Sequence, residues 1–397
     1  MKLVVQKFGG SSVANVDKIL NISNIITNTY DQENNVVVVV SAQGNTTNEL
    51  IKKMIPINSN PSKREMDVLL SVGEQISIAL LASAIKKLGY PVISLTGWQI
   101  GIHTDSLHQN ARIKYIDTKR IYEALNNRTI VVIAGFQGID DNNDITTLGR
   151  GGSDTSAVAL AATLEADVCQ VFTDVDGVYT SDPRLVNSAT KIDEITFDEM
   201  LEMASLGAQI LHNRSVELAK NYNIEIDVIS SFSKKMGTRV KEVVDVEKNP
   251  VRGITRDNKI SVIAVTDKDN CLDKYNLFSK LERHDIVISG ISLDEINNNK
   301  EFSFIIPQDK KEETINMLNQ ETKEYIVLNN ISKISLVGSG LMSNTKVISK
   351  LFKILSKTNI KPYLILTGEI TLSIIVDESM SKELMNLLHD EYNLPCI

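Results

Sequence analysis

An internal repeat in the last third of the chain constrains the fold more than any other feature of its sequence. In the first half of the repeat, matching residues are 74 positions apart: Lys259-Ile260-Ser261 with Lys333-Ile334-Ser335, Leu277-Phe278 with Leu351-Phe352, and Ile286 with Ile360. In the second half they are 69 positions apart: Phe304-Ile305-Ile306 with Ser373-Ile374-Ile375, and Leu318 with Leu387. Such a repeat is one supersecondary unit built twice, and the two copies are expected to pack on each other.

Each copy has the pattern strand, helix, strand, strand, helix, strand, which predicts a ferredoxin-like βαββαβ unit. The difference of five residues between the two offsets falls at the polar stretch Asn297-Asn298-Asn299-Lys300. An insertion in a surface loop costs little free energy. We expect the two units at residues 251–330 and 331–397, with an exchange of strands between them allowed.

The part of the chain before the repeat alternates strand-like and helix-like segments. Apolar segments typical of strands lie at residues 3–5, 36–40, 91–95, 129–134, 168–173 and 225–229. Helical patterns lie between them, at about residues 13–27 and 61–88, and Ser62 with Glu65 three positions on predicts a cap for the second. This alternation predicts an α/β domain with an open, mostly parallel sheet over residues 1–245.

Net charge and apolar patterning exclude several classes of protein. The chain has 42 Lys and Arg against 50 Asp and Glu, a net charge of -8, whereas nucleic acids and anionic membranes attract basic surfaces. We therefore expect no nucleic-acid and no membrane partner, and an anionic substrate would need positive charge gathered at one place. Apolar runs fall well short of the roughly 20 residues that span a bilayer, and the first residues lack a signal-peptide core. We expect a cytoplasmic protein.

A glycine-rich segment, Lys7-Phe8-Gly9-Gly10-Ser11-Ser12, follows the first strand and precedes the first helix. Glycines at such a junction let backbone N–H groups approach an anion, and a helix N-terminus favours negative charge. Lys7, at the end of the strand, could reach a transferred phosphate. The alternative is a tight strand-to-helix turn with a solvated lysine.

A second glycine-rich segment, Gly149-Arg150-Gly151-Gly152-Ser153-Asp154, precedes a helical run. Its glycines expose backbone donors, and Arg150 offers a planar fork for a carboxylate or a phosphate. Helix capping alone would explain Ser153 and Asp154. Capping does not explain Arg150, which therefore predicts a ligand.

The strand at residues 168–173 ends in an acidic loop that contains Asp174, Tyr179 and Arg184. The loop superficially resembles a calcium loop, but its spacing lacks the EF-hand ligands. A loop at the carboxyl end of a parallel strand is where α/β sheets bind ligands. The alternative is a long surface turn.

Two further polar segments are candidates for the same site. Ser41-Ala42-Gln43-Gly44-Asn45-Thr46-Thr47 follows the valine-rich strand, and Ser71-Val72-Gly73-Glu74-Gln75 interrupts the long helical pattern. A single glutamate in a helix is usually solvated or salt-bridged. Glu74 is of interest only because it stands beside Gly73 in an apolar stretch. The histidines show no metal-ligand spacing.

Taken together, these segments resemble the aspartokinase family of the amino acid kinases. The segments that carry the resemblance are Val5-Gln6-Lys7-Phe8-Gly9-Gly10-Ser11-Ser12-Val13, Val38-Val39-Val40-Ser41-Ala42, Gly73-Glu74, Thr147-Leu148-Gly149-Arg150-Gly151-Gly152-Ser153-Asp154-Thr155, Phe172-Thr173-Asp174-Val175-Asp176-Gly177-Val178-Tyr179 and Ser230-Ser231-Phe232-Ser233. Their order and spacing match over the whole chain, and the repeat is similar to the paired regulatory ACT domains of that family. The resemblance implies a three-layer α/β sandwich with a mostly parallel sheet, followed by two ferredoxin-like ACT units.

The resemblance also implies a reaction. The γ-phosphoryl group of ATP, with Mg²⁺, would be transferred to the side-chain carboxylate of L-aspartate, giving 4-phospho-L-aspartate for lysine, threonine and methionine biosynthesis. A carboxylate is already ionised at neutral pH, so the nucleophile needs no general base. The reaction needs alignment of two anions and stabilisation of the spreading charge.

The family's functional residues carry over to matching positions. The aspartate-binding residues implied are Ser41, Thr47, Glu74, Arg150, Gly151, Gly152 and Ser153, with Glu74 on the α-ammonium and Arg150 on the α-carboxylate. The nucleotide-binding residues implied are Lys7, Phe8, Gly9, Gly10, Ser11, Thr173, Asp174, Tyr179, Asp182, Arg184 and Gln209. The catalytic set implied is Lys7, Glu74, Arg150 and Asp154, with Asp154 ordering the loops at the phosphates. No residue is assigned to a metal.

The chain departs from the family pattern in both halves. Gln209 stands where the family often has lysine, and His212-Asn213 stands where His-Pro is usual. The ACT turns that commonly carry Pro-Gly are here Asp269-Asn270-Cys271-Leu272 and Ser343-Asn344-Thr345-Lys346. Two interpretations stay open: feedback inhibition by lysine, threonine or diaminopimelate, or ACT-like units kept for homodimerisation with effector binding weakened or lost.

Two other functions stay open as well. A kinase of another small amino acid, such as glutamate or acetylglutamate, would keep the catalytic segments, but such relatives usually lack the tandem repeat. A catalytically silent amino-acid sensor would keep the fold and the dimer. Intact Lys7, Glu74, Arg150 and Asp174 argue against the sensor.

Overall fold

A computed structural model describes residues 1–207, 210–233, 237–243, 249–266, 272–294, 301–322, 324–341 and 344–394. It contains two compact units. The first comprises Met1–Tyr179, Lys191–Ser205 and Gln209–Glu247, and the second comprises Thr180–Thr190, Leu206–Ala208 and Lys248–Ile397. The domain boundaries expected from the sequence stay predictions. Unexpectedly, the segment Thr180–Thr190 lies in the second unit although it is far from the repeat along the chain.

The elements of the first unit follow one another along the chain as strands and helices. Its strands are β1 (Leu3–Phe8), β2 (Asn35–Val40), β3 (Val92–Leu95), β4 (Ile102–Thr104), β5 (Ile113–Ile116), β6 (Ile130–Ala134), β7 (Gln137–Ile139), β8 (Ile145–Thr147), β9 (Val168–Thr173), β10 (Glu194–Thr196), β11 (Ile226–Ser230) and β12 (Thr238–Lys241). Its helices are α1 (Val16–Asp31), α2 (Thr46–Met54), α3 (Lys63–Leu70), α4 (Val72–Lys87), α5 (Lys119–Asn126), α6 (Gly152–Thr163), α7 (Phe197–Ser205) and α8 (Asn213–Tyr222).

The large sheet of the first unit has the strand order β10-β12-β11-β9-β1-β2-β6-β3. Its neighbouring strands are parallel except β11 and β12. The five valines of β2 are buried, as expected for a central strand with both faces covered. Helices α1 and α4 pack on one face through Ile22, Ile26 and Leu81, and α6 packs on the opposite face. The predicted three-layer sandwich with a mostly parallel sheet is confirmed.

A small second sheet of the first unit, in the order β5-β4-β7-β8, has no counterpart in the sequence prediction. Its strands have only three or four residues, too few for an alternating pattern to stand out. Helix α1 begins at Val16, three residues later than predicted, because the Asn15 side chain caps the helix by accepting from Lys18 N–H. The residues before it form a 3₁₀ turn, Gly10–Ser12.

The long helix predicted for residues 61–88 is divided at Ser71 into α3 and α4. Ser62 caps α3 as predicted, with its Oγ accepting from the Glu65 N–H at 3.3 Å. At the start of α4, a Cβ added to Gly73 would lie 2.7 Å from the Cβ of Ala42. The loop after β2 and the first turn of α4 therefore touch through a glycine.

The helical stretch Lys63–Lys87 is long and apolar enough to cross a membrane by length and composition alone. In the structure, however, Ile78, Leu81 and Ile85 of α4 lie in the core beneath the large sheet. Core helices pass the same test, so the finding is weak support for a membrane span.

The second unit contains the repeat. Its strands are β13 (Gly253–Asp257), β14 (Ile260–Thr266), β15 (Gly290–Asp294), β16 (Glu301–Pro307), β17 (Tyr325–Leu328), β18 (Ile331–Val337), β19 (Leu364–Thr367) and β20 (Thr371–Asp377). Its helices are α9 (Lys274–Arg283), α10 (Lys311–Glu321), α11 (Thr345–Lys357) and α12 (Glu378–Glu391). Three stretches that the sequence singled out here lie outside the described residues: the polar loop 297–300, and positions 269–271 and 343 of the two altered turns.

The two sheets of the second unit have the orders β15-β16-β14-β17 and β13-β18-β20-β19. They share an apolar cluster, in which Val262 and Ile305 of the first sheet pack with Ile331 and Ile375 of the second. The predicted packing of the two copies on each other is therefore present in this unit.

The two copies differ in how they complete their sheets. The first copy of the repeat supplies all six elements of a ferredoxin-like unit, as predicted. In the second copy, the fourth strand position is occupied by β13, which precedes the first copy along the chain and pairs antiparallel with β18. A strand that precedes the first copy therefore completes the sheet of the second copy.

Strand pairing also corrects the register of the repeat. The ends of β14 and β18 lie 71 positions apart, and the ends of β16 and β20 lie 70 positions apart. In this register, the pair Ile263 and Phe304 of the first copy matches the pair Ile334 and Ile374 of the second. The predicted match of Ile260 with Ile334 joins residues on opposite faces, since a shift of one residue turns a side chain to the other face of a strand. The offset of 74 holds for the first helix, where the matched leucines of α9 and α11 are both buried.

Candidate active site

Four neighbouring strands of the large sheet, β1, β2, β6 and β9, run parallel, so their carboxyl ends share one edge. The glycine-rich segment after β1, the polar segment after β2 and the acidic loop after β9 all begin at this edge. In open α/β sheets, this edge is where ligands bind.

A cavity of about 740 Å³ opens at this edge. Its lining brings together all seven predicted aspartate-binding residues and several that were not predicted to bind aspartate. The lining residues are Lys7, Gly10, Ser41, Ala42, Gly44, Thr47, Asn48, Ile51, Met66, Leu70, Glu74, Gln109, Phe136, Thr147, Gly149, Arg150, Gly151, Gly152, Ser153 and Asp154. Its volume suits a small-molecule ligand.

A buried ion pair joins β1 to α6 at the wall of the cavity. Lys7 Nζ lies 2.5 Å from Asp154 Oδ1, and both side chains are nearly removed from water. Asp154 stands in the first turn of α6, where the helix dipole favours a carboxylate. The pair therefore holds the Lys7 ammonium at the N-terminus of α6.

The second glycine-rich segment is shaped by close contacts. Gly149 and Gly151 have φ values of 79° and 67°, in the left-handed region that favours glycine. A Cβ on Gly151 would lie 2.2 Å from Cγ of His212, so no other residue fits there. The turn leaves Arg150 exposed beside the cavity, and within the described residues its guanidinium has no carboxylate partner.

Glu74 is the buried carboxylate of the site. Its Oε1 accepts from the Ala42 N–H at 3.0 Å, whereas its buried Oε2 has no hydrogen-bond partner among the described residues. Burial raises the pKa of Glu74 from 4.5 to about 8, and the bond from Ala42 offsets part of this effect. An unpartnered buried carboxylate oxygen on a cavity wall is suited to a cationic group of a ligand.

The predicted nucleotide residues lie in several places. Thr173 and Asp174 end β9, where the Thr173 hydroxyl donates to Asp174 Oδ1 at 3.2 Å, and Tyr179 pairs with Lys191 in the first unit. These residues are not part of the cavity lining. Asp182 and Arg184 belong to the second unit and bind each other, with Arg184 Nη2 2.8 Å from Asp182 Oδ2. Gln209 lies outside the described residues.

The segment after β1 presents backbone rather than side chains. Phe8 is fully buried and stacks on Phe172 at 4.5 Å, so its side chain belongs to the core. A Cβ on Gly10 would lie 2.8 Å from the Ala42 carbonyl oxygen, which explains why the loops after β1 and β2 need a glycine there. The Gly9 N–H donates to the Phe172 carbonyl, and the Ser11 carbonyl accepts from Lys18 Nζ.

Asp67 is a site residue that the sequence prediction missed. It is fully buried on α3 and accepts hydrogen bonds from Thr147 N–H and Oγ1, from Gln109 N–H and, at 2.8 Å, from His108 Nδ1. Thr147 and Gln109 both line the cavity, so Asp67 fixes two parts of its wall. The available signal was one aspartate inside the apolar stretch Met66-Asp67-Val68-Leu69-Leu70.

Arg214 supports the other side of the glycine-rich segment and was also missed. Its Nη1 donates to the Leu148 carbonyl and its Nη2 to the Ala111 carbonyl, both at 2.8 Å. Burial lowers the pKa of Arg214 from its usual value. Leu148, the residue before Gly149, is thereby hydrogen-bonded to helix α8.

Within the described part of the chain, one group of potential metal ligands is formed by His108, Asp140 and Asp144. Its carboxylates are already engaged: Asp144 binds Arg64, and Asp140 accepts from Ser106 Oγ. The group is therefore explained by internal contacts.

Each half of the chain matches the model of a known protein family. Residues 2–230 match the model of the amino acid kinase family, and residues 334–392 match a model of the ACT domain. The aspartokinase of Bacillus sp. (strain MGA3) is 45% identical over 405 residues, which cover 99% of this chain and 98% of that protein. The aspartokinase of Geobacillus stearothermophilus is 44% identical over 398 residues, with the same coverage.

Solved structures show similar folds. The aspartate kinase from Synechocystis has 36% identity and a TM-score of 0.57, over 99% of this chain and 69% of that one. E. coli aspartokinase III in complex with aspartate and ADP has 24% identity and a TM-score of 0.80, over 98% of this chain and 99% of that one. The second likeness concerns the fold alone.

Proposed function

This chain belongs to the aspartokinase family of the amino acid kinases, and from this premise we propose how its residues phosphorylate L-aspartate. The reaction transfers the γ-phosphoryl group of ATP to the side-chain carboxylate and gives 4-phospho-L-aspartate. The observation that carries the proposal is that Glu74, whose buried Oε2 has no partner among the described residues, shares one cavity with the exposed guanidinium of Arg150. One α-amino acid presents the two opposite charges that these groups need.

In the proposed complex, Glu74 accepts from the α-ammonium of aspartate and Arg150 binds the α-carboxylate through two parallel N–H bonds. Thr47, Ser41 and the backbone of Gly151, Gly152 and Ser153 contribute the remaining polar contacts. Anchoring both backbone charges leaves the side-chain carboxylate to point toward the phosphates.

The proposed chemistry depends on charge rather than on proton transfer. The attacking carboxylate is already ionised, so alignment with the γ-phosphate and stabilisation of the transferring group are the main requirements. Lys7 supplies positive charge at the end of β1, and Asp154 holds its ammonium in place. The first turn of α6 and the backbone of Gly10 supply further N–H donors.

The proposed nucleotide site continues from Lys7 along the loop after β9. Thr173, Asp174, Tyr179, Asp182 and Arg184 would contact the nucleotide, and Gln209 would do so as an amide rather than as a charge. The Asp182–Arg184 pair would open so that Arg184 could meet a phosphate, because phosphate is a stronger partner for a guanidinium than an exposed carboxylate.

Mg²⁺ is part of the proposal as the partner of ATP. Proteins usually bind this ion through phosphate oxygens, water and one or two carboxylates. The exposed carboxylate of Asp174 at the end of β9 fits that need. When bound, the ion would neutralise charge on the phosphates.

We further propose a cytoplasmic homodimer that responds to an end-product amino acid. Leu293 and Ile326 are exposed on the edge strands β15 and β17, and such edges commonly pair between chains. Lysine, threonine or diaminopimelate is the expected effector, and the altered turns of the repeat would weaken its binding. A monomer by light scattering at micromolar concentration would contradict the dimer.

The test of the function is acyl-phosphate formation, trapped with hydroxylamine, from Mg-ATP and a panel of aspartate, glutamate and acetylglutamate. We expect turnover with aspartate alone. Turnover with another acid would favour the alternative kinase. A folded protein that binds ATP without turnover of any acid would favour the sensor. Adding lysine or threonine to the active reaction tests effector binding.

A further inference from the structure

The segment Thr180–Thr190 directly follows Tyr179 and carries Asp182 and Arg184, yet it belongs to the second unit. Val186 is fully buried in the core that contains Leu384 and Leu388 of α12. The Leu185 carbonyl accepts from Asn386 Nδ2 at 3.2 Å. The position of this segment is therefore set by the last helix of the repeat.

One histidine makes hydrogen bonds near both ends of this segment. His389 is fully buried on α12; its Nε2 lies 3.0 Å from Thr180 Oγ1, and its Nδ1 lies 3.0 Å from Ser188 Oγ. Both ring nitrogens are thus used, one near the start of the segment and one near its end. Burial lowers the pKa of His389, which favours the neutral imidazole.

Packing alone does not explain a histidine at this position. Its helix neighbours in the same core are Leu384, Met385 and Leu388, and a leucine would continue that apolar face. A neutral imidazole instead offers one donor and one acceptor on opposite sides of the ring, which suits two hydroxyl groups. The Thr180 hydroxyl also accepts from Thr190 N–H at 3.0 Å, which closes the segment into a loop.

The backbone at Thr180 links this loop to β13. The Thr180 carbonyl accepts from the Ile254 N–H at 2.7 Å, and β13 pairs with β18 in the sheet beneath α12. Thr180 is consequently held by the sheet and by the helix of the same ferredoxin-like unit.

We propose that His389 is a positioning residue for ATP: it holds the Thr180–Thr190 loop on α12 and so places Asp182 and Arg184 for the nucleotide. The inference rests on the proposed nucleotide role of these two residues. It makes the second copy of the repeat a determinant of ATP affinity, although His389 itself touches neither substrate.

The experiment compares wild type with His389→Leu, His389→Gln and His389→Asn. We expect His389→Leu to raise KM for ATP about tenfold, the cost of losing roughly one buried hydrogen bond, with KM for aspartate nearly unchanged. His389→Gln, which can still reach Thr180, should recover more ATP affinity than His389→Asn, which can reach only Ser188. His284→Gln is the matched control, because His284 is an exposed histidine at the end of α9.

Several outcomes separate the inference from simple loss of stability. Unchanged KM for ATP in a folded His389→Leu protein would overturn it, as would equal increases in both KM values together with a lower melting temperature. If His389→Leu does not fold, Ser188→Ala removes one bond and should raise KM for ATP alone. If wild type makes no acyl phosphate, the proposed function fails, and calorimetric binding of Mg-ATP to the same variants still tests the role of His389.

Discussion

At the scale of single residues, the protonation of Glu74 should depend on whether the cavity holds a ligand. Its pKa is about 8 in the folded chain, against 4.5 when exposed, because burial disfavours the carboxylate. In the ligand-free protein, the group is therefore largely protonated at neutral pH. An α-ammonium beside its buried Oε2 would favour the ionised form.

The raised pKa predicts a pH dependence of stability. Because the folded pKa lies above the unfolded one, the contribution of Glu74 to folding is complete below about pH 4.5 and is lost as pH rises through about 8. The melting temperature of ligand-free wild type should therefore fall relative to Glu74→Gln over this interval. Parallel melting curves for the two proteins across the interval would contradict the assignment.

Aspartate binding should depend on the shape of the Arg150 cation as well as on its charge. Lysine keeps the charge but loses the fork that binds a carboxylate through two bonds. We expect Arg150→Lys to raise KM for aspartate by about tenfold or more, with a smaller effect on KM for ATP. Arg120→Lys, at an exposed position of α5, is the matched control. Steady-state kinetics that show equal effects for the two variants would exclude the proposed contact.

At the scale of elements, α3 acts on the site through Asp67. This helix contributes no predicted site residue, yet its buried carboxylate holds Thr147 at the end of β8 and Gln109 in the loop before β5. Replacing a carboxylate oxygen by an amide N–H would turn an acceptor into a donor facing other donors.

Asp67→Asn should consequently affect both stability and substrate binding. We expect a loss of about 2 kcal/mol in the free energy of unfolding and a several-fold increase in KM for aspartate, since buried donors lose their acceptor. KM for ATP should change little. Denaturant unfolding and steady-state kinetics measure these effects, with Asp17→Asn on the exposed side of α1 as control. An unchanged KM for aspartate in a destabilised protein would limit Asp67 to a structural role.

The elements differ in how much of their structure could be predicted. The valine run of β2 and the Ser62 cap are local patterns, and both were predicted correctly. Helix α2 was missed because it is short and its apolar residues Leu50, Ile51 and Met54 lie only in its second half, after the polar residues Thr46 to Glu49. The contacts of Asp67 were missed because they join residues as far apart as positions 67 and 147, which no local pattern reveals.

At the scale of the whole molecule, the repeat predicted two similar units that could exchange strands, but not that β13 would complete the sheet of the second copy. Nothing in the local sequence of β13 distinguishes pairing with β18 from pairing with its neighbour β14. The register was wrong by one or more residues in the strands, because identical residue types were matched rather than faces. The glycine-rich segments were more informative, since close backbone contacts leave little choice of residue.

The central prediction is that one cavity binds both charges of an amino acid, and the most direct test compares aspartate with succinate, which lacks the α-ammonium. Trapped acyl phosphate would give kcat/KM for each acid in wild type and in Glu74→Gln. We predict that wild type prefers aspartate by about 100-fold or more and that Glu74→Gln loses most of this preference, because the ammonium then has no carboxylate partner. Equal preference for aspartate in the two proteins would contradict the central role of Glu74.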